Sequence, residues 1–161
     1  MKEGDLIPRY YYDYESGKMY RPYCGKFKEL GCLSKDGYLY FSPTRYKRKR
    51  LHRFIWECFF GEIPEGMQID HINHNRLDNR LCNLRLVTPT ENCRNTKLPK
   101  TNKSGKIGVF FDKVNNKWCA SYYVKNKRIH IGRFKKFEDA VAAREDMERK
   151  CGYHKNHGRN L

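Results

Sequence analysis

The chain has 161 residues with 34 Lys and Arg against 18 Asp and Glu, and its formal net charge of +16 predicts salt-sensitive attraction to a polyanion, nucleic acid or anionic membrane. No apolar run approaches the roughly 18 residues of a membrane-spanning helix, and Met1-Lys2-Glu3-Gly4-Asp5 has no signal-peptide stretch, so the membrane reading is set aside. With 39% hydrophobic and 14% aromatic residues, the chain has enough apolar surface to bury a small core or two, which argues against disorder.

Residues 6–46 show no helical periodicity. Tyrosine clusters broken by Glu15-Ser16-Gly17-Lys18, Cys24-Gly25 and Lys35-Asp36-Gly37 read as short antiparallel strands joined by hairpins. The basic run Arg45 to Arg50 reads either as a solvated loop or as a phosphate-contacting strip. Leu51, Phe54, Ile55, Cys58 and Phe59 then form one apolar stripe at helical spacing, stopped by Gly61 and Pro64. His52 and Arg53 sit near that helix start, where either could reach a phosphate or simply occupy a partly exposed first turn.

Thr88-Pro89-Thr90-Glu91 has the residues of a capping box, which predicts a helix from about Pro89 to Leu98 with Asn92 and Asn95 on one face. The polar, breaker-rich residues 99–106 read as a linker. Beyond it, residues 109–111, 118–124 and 128–134 are three strand candidates, and a helix opens at Phe137 with Ala140, Ala143, Met147 and Cys151 at helical spacing. The expected fold class is α+β, with N-terminal hairpins and a ββα core, then a three-stranded antiparallel sheet packed on one helix. The domains are 1–98, with a core at about 37–95, and 107–161. Residues 1–98 carry 18 basic and 12 acidic side chains, net +6, and residues 99–161 carry 16 and 6, net +10. The seven cysteines, odd in number and without a Cys-x-x-Cys pair, are expected to be reduced and mostly buried in a cytoplasmic protein, with neither a disulfide framework nor a structural zinc.

The chemistry concentrates between the two N-terminal helices. Asp70-His71 follows a short apolar strand, Asn83-Leu84-Arg85 lies twelve residues past that histidine, and Glu91-Asn92 falls inside the capped helix. Together with Leu51-His52-Arg53-Phe54 and the Pro-x-Gly of Pro64 to Gly66, this pattern resembles the His-Asn-His (HNH) nuclease motif, a ββα-metal site, in the variant of phage and intron homing endonucleases. The third member is Asn92 where the motif name has histidine. The resemblance makes His71 the general base, Asn83 the residue that orients its ring, and Asp70 and Asn92 the ligands of a divalent metal, magnesium first and manganese second. His74 and Asn79 read either as accessory ligands or as loop formers, with the loop reading favoured. Arg76, Arg80 and Arg85 are candidate phosphate grips, and Arg85, between Leu84 and Leu86, has the alternative of pairing with a carboxylate inside the fold.

The Gly108-Val109, Lys117-Trp118-Cys119-Ala120, Gly132-Arg133-Phe134 and Glu138-Asp139-Ala140 elements resemble the plant ethylene-response-factor type of DNA-binding domain, which places a three-stranded sheet in the major groove. If Trp118, Ala120, Tyr122, Ile129 and Ile131 pack on the helix, then Phe110, Ser121, Tyr123, Arg128 and His130 face the DNA. Lys113, Lys117, Lys125 and Lys127 would then hold its backbone. The implied function is a metal-dependent endonuclease cutting double-stranded DNA at a recognised site, as a monomeric phage protein in a bacterial cytoplasm. A non-catalytic DNA-binding regulator with a degenerate nuclease fold is the alternative, and an RNA-binding protein the third reading.

Overall fold

The computed structural model describes residues 4–7, 9–44, 47–124 and 127–159. Met1 to Glu3, Arg45 and Tyr46 of the basic run, and Lys125, all noted above, lie outside the described residues. The fold is α+β, in two compact units, Met1–Asn92 and Cys93–Leu161.

The first unit opens with a four-stranded antiparallel meander, β1 (Gly4–Ile7), β2 (Tyr10–Asp13), β3 (Lys18–Tyr23) and β4 (Lys26–Glu29). A second antiparallel sheet follows, β5 (Cys32–Leu33), β6 (Leu39–Thr44) and β7 (Lys47–Arg50), so the described part of the basic run is an edge strand. Helix α1 (Leu51–Phe60) starts directly from β7, and Gly61 ends it with its N–H on the Glu57 carbonyl. The predicted stripe turns inward. Leu51 and Ile55 are buried with Tyr12, Met19, Leu30, Phe41, Ile63, Ile69 and Leu84, and Phe54, Cys58 and Phe59 pack against that core. The N-terminal tyrosines serve the same core, Tyr10 edge-on to Phe54 and Tyr12 edge-on to Phe59.

Strands β8 (Gln68–His71) and β9 (Leu84–Val87) form an antiparallel pair, bridged by a long polar loop and a single 3-10 turn at Leu81–Asn83. Helix α2 follows them and spans only Pro89–Cys93. Its capping box is reciprocal: the Glu91 N–H donates to Thr88 Oγ1, and the Thr88 N–H donates to Glu91 Oε2 at 2.7 Å. The expected extension to Leu98 fails because the chain's last turns claim the next carbonyls. The Arg94 carbonyl accepts from the His154 N–H and that of Thr96 from the Gly158 N–H, so Asn95 is buried off the helix and no longer shares a face with Asn92.

The second unit holds β10 (Val109–Asp112), β11 (Lys117–Val124) and β12 (Lys127–Phe134) as an antiparallel sheet in sequence order, with α3 (Phe137–Lys150) against it. Val109, Ala120 and Ala140 are its buried centre, with Trp118, Ile131, Phe134, Phe137 and Val141 around them. Arg144 of α3 is also buried, its Nε donating to the Ile107 carbonyl and pairing with Glu148. The stretch expected as a linker is folded onto this unit, Ser104 Oγ donating to the Val109 carbonyl at 2.6 Å. The cysteines are free thiols, but their burial differs from expectation. Cys119 alone is buried, whereas Cys24, Cys32, Cys82 and Cys93 are exposed because they fall in turns and on short or edge elements.

Candidate active site

Strand β8 carries the central residues. Its alternation sends Gln68 and Asp70 to one side and Ile69 and His71 to the other. Asp70 lies opposite Arg85 in the ladder, and Asp70 Oδ2 accepts hydrogen bonds from Arg85 Nε at 3.0 Å and Nη2 at 2.8 Å. The arginine thus takes the carboxylate-pairing alternative that its apolar neighbours suggested.

His71 is 4% exposed. Its Nε2 sits 3.0 Å from the carboxamide Oδ1 of Asn79, the His52 ring meets it edge-on with centroids 4.8 Å apart, and Tyr38 lies 6.0 Å away. A carboxamide oxygen can only accept, so Nε2 is the protonated nitrogen and the lone pair of the neutral ring resides on Nδ1. Burial pushes the His71 imidazole below the usual histidine range, partly opposed by the Asn79 hydrogen bond and the Asp70 charge.

The ring partner expected at Asn83 is therefore Asn79. Asn83 instead staples the loop: its Oδ1 accepts from the Asn73 N–H at 2.9 Å, its Nδ2 donates to the Asp78 carbonyl at 2.8 Å, and its own carbonyl accepts from the Ile72 N–H. Asp78 is held in turn by Nε and Nη2 of the Arg80 guanidinium and by Asn73, which keep its carboxyl below the ordinary range. Nothing in the spacing of Asn73, Asn75, Asn79 and Asn83 marks the one that reaches the ring.

Asn92 joins the Asp70 side of β8. Its Nδ2 donates to Gln68 Oε1 at 2.7 Å, and Gln68 shares a strand face with Asp70. The Asn92 Oδ1 accepts no hydrogen bond from the described residues. Among those residues no group of three or more His, Cys, Asp or Glu side chains is assembled for a metal. One carboxylate and one carboxamide oxygen do suit a hard cation such as magnesium, which keeps water or phosphate oxygens in its other positions. The donor set fits such an ion, and Arg85 holds Asp70 through Oδ2.

The remaining candidates divide. His52 is not a phosphate contact, because the first turn of α1 is packed inward: it is 3% exposed and burial pushes its imidazole down to about 3, with His71, Arg50 and Arg53 adding to the shift. Arg53 is half-buried. Arg76 is exposed, its guanidinium 4.6 Å from the centre of the Tyr38 ring and its Nη1 donating to the Asp36 carbonyl. Arg50 also lies over Tyr38, at 4.4 Å, and bonds Tyr40 and Asp36, while Arg48 stacks on Tyr40 at 4.3 Å. Tyr38 and Tyr40 thus form a platform that pre-sets three guanidinium groups beside the His71 cluster, and sequence reasoning passed over both. Their i, i+2 spacing in the sequence was the available signal.

In the second unit Phe110, Lys117, Tyr123, Arg128 and His130 are exposed, Tyr123 at 63%, and Arg128 stacks on Phe110 at 4.5 Å. Ser121 is 3% exposed instead, lying beneath Arg128, whose Nε donates to its hydroxyl at 3.1 Å. The cause is a register shift between Ala120 and Ser121, where Ile131 is the extra residue between their partners Gly132 and His130. The same shift leaves Ile129, expected on the helix side, partly exposed.

A ββα unit closing on an Asp-His pair and a capped asparagine is the class that this site defines. A family profile described as HNH endonuclease matches residues 49–94. Protein 3.8 of Escherichia phage T7 is 42% identical over 83 residues, 52% of this chain and 69% of that protein. The Acanthamoeba polyphaga mimivirus protein named Uncharacterized HNH endonuclease L560 is 38% identical over 112 residues, 68% of this chain and 54% of its own length. A solved structure described as DNA binding and cleavage by the HNH homing endonuclease I-HmuI is similar with a TM-score of 0.47 and 28% identity, covering 58% of this chain and 56% of that one. The chain thus spans little more than half the length of the mimivirus protein and of I-HmuI. Residues 49–94 form an HNH endonuclease domain, and the chain is a relative of Protein 3.8 of phage T7.

Proposed function

We propose that this protein is a metal-dependent DNA endonuclease of the homing type, hydrolysing phosphodiester bonds at a recognised site. The observation that carries the reading is the Asn79–His71 hydrogen bond in a buried setting. Burial favours the neutral imidazole, and the Asn79 hydrogen bond fixes its proton on Nε2 and so makes Nδ1 the basic atom, the state a general base requires. In the proposed step Nδ1 takes a proton from a water molecule, the water oxygen bonds to phosphorus, and the bond to the 3′ oxygen breaks. A divalent cation on Asp70 and Asn92 would offset charge on the phosphate and stabilise the departing 3′ oxygen. Arg76, Arg50 and Arg48, pre-set on Tyr38 and Tyr40, would hold flanking phosphates with little ordering cost. The second unit would act as the DNA anchor, with Phe110, Tyr123, Arg128 and His130 on its contact face and Lys117 on the backbone; the ethylene-response-factor resemblance and the net +10 of residues 99–161 support this.

Plasmid incubation with protein and magnesium tests the proposal. Nicking that disappears with EDTA and in His71→Ala is the expected result, and tight binding without cleavage by the unaltered protein would overturn it. That outcome would favour the regulator reading, for which the one structural observation is the Asp70 carboxylate held by Arg85.

A further inference from the structure

We infer that the N-terminal meander is part of the catalytic apparatus: the Tyr12 hydroxyl, by gripping the backbone on both sides of Arg80, positions the Asn79 carboxamide that orients His71. The inference rests on the proposed role of His71 as base, and it ties Tyr12, outside the matched segment 49–94, to Asn79 and His71 within it.

Three hydrogen bonds make the connection. Tyr12 Oη donates to the Asn79 carbonyl at 3.0 Å and accepts from the Leu81 N–H at 3.1 Å, and Asn79 Oδ1 meets His71 Nε2 at 3.0 Å. All the side chains involved are buried, Tyr12 and Asn79 almost completely. Burial pushes the Tyr12 phenol up to about 12, so the hydroxyl keeps its proton and remains a donor to the carbonyl. The ring itself is fixed edge-on against Phe59 of α1 at 5.0 Å and Tyr14 at 5.1 Å.

A second contact from the same hairpin acts on the same loop. Gly17, in the turn between β2 and β3, has φ +68°, and a Cβ there would stand 2.4 Å from the Arg80 nitrogen and 2.7 Å from the Asn79 carbonyl carbon. Only a glycine lets the turn lie flat on the loop. Hydroxyl and turn therefore press the Asn79–Leu81 backbone into one position. The carboxamide has two rotatable bonds of its own, so its reach to Nε2 depends on where that backbone is held. Displacements of about 1 Å can cost catalysis on the order of 100-fold when a base is misaligned. Tyr12 and Asn79 are positioning residues, since neither meets the reacting atoms in the proposed step.

The test uses the full chain labelled with 15N-histidine, free of metal and DNA, with Tyr12→Phe as the variant. The His71 ring nitrogens should show the Nε2–H form in the native protein and shift toward a tautomer mixture in the variant. In cleavage assays kcat should fall at least about tenfold while KM for DNA stays constant. Unchanged ring nitrogens and unchanged kcat would overturn the inference. If the native protein does not cleave, the proposed function fails while the nitrogen shifts still report whether Tyr12 governs the ring. If Tyr12→Phe does not fold, hydrogen exchange in the native protein decides: the Leu81 amide and the His71 ring N–H should exchange through one shared opening, and independent openings would refute the connection.

Discussion

Buried in the first turn of α1 against His71 of β8, His52 makes acid stability a direct probe of the first unit. An unfolded chain takes up a proton on this imidazole below about pH 6.5, whereas the native fold refuses it until about pH 3. The unfolded state therefore binds more protons across that window, and native stability falls as pH drops through it. At about 1.4 kcal/mol per unit, the loss from His52 alone between pH 7 and pH 5 is about 2 kcal/mol. The perturbation is His52→Gln, which removes the titrating group and leaves a polar side chain. Native-state hydrogen exchange of the α1 and β8 amides at the two pH values reads the opening energy of the first unit without interference from the second. The substitution lowers stability at pH 7 but should flatten its pH dependence by about 2 kcal/mol relative to the native protein. His71 is depressed by the same burial and keeps its share in both proteins. Equal pH dependence in the two would refute the argument that His52 is held neutral by the core.

Four further outcomes test other parts of the structure. Ile55→Ala deletes a side chain with no solvent exposure in the first core and should cost about 2–5 kcal/mol in urea unfolding. Gly108→Ala places a Cβ 2.4 Å from the Ser121 carbonyl oxygen at φ +80°, so the second unit should lose its dispersed NMR spectrum while the first keeps it. Arg85→Gln removes the partner of a largely buried carboxylate; without metal the first unit should be destabilised by about 1–3 kcal/mol, with magnesium restoring part of the loss in a thermal melt. Arg128→Ala should weaken duplex binding and lower the slope of log affinity against log salt by about one, read from fluorescence anisotropy at several salt concentrations.

The parts of the fold that local patterns encode are the parts that reading along the chain recovers. The stripe from Leu51 to Phe59 and its stop at Gly61 give α1, and the Thr88 to Glu91 capping box gives the start of α2. Alternation in residues 109–134 gives the three strands of the second sheet to within a residue or two at each end. The Asp70-His71 pair, with the Asn83 and Asn92 spacings, is legible in the same way, because its residues lie within about two dozen positions of one another. What fails is what depends on partners distant in sequence. Helix α2 stops early because amides of residues 154 and 158 take its next carbonyls. Ser121 is hidden because β12 carries one extra residue opposite it.

The sequence by itself determined the α+β class, the two-part division of basic charge and the residue types of the candidate site, since periodicity, caps and spacing are local properties. Only the tertiary structure decided which of four asparagines turns the His71 ring, that His52 is a buried wall and not a phosphate contact, and that Tyr12 reaches Leu81 across 69 positions. The physical reason is the same in each case. A buried hydrogen bond is set by where two backbones are brought together, and short-range pattern carries no information about that meeting.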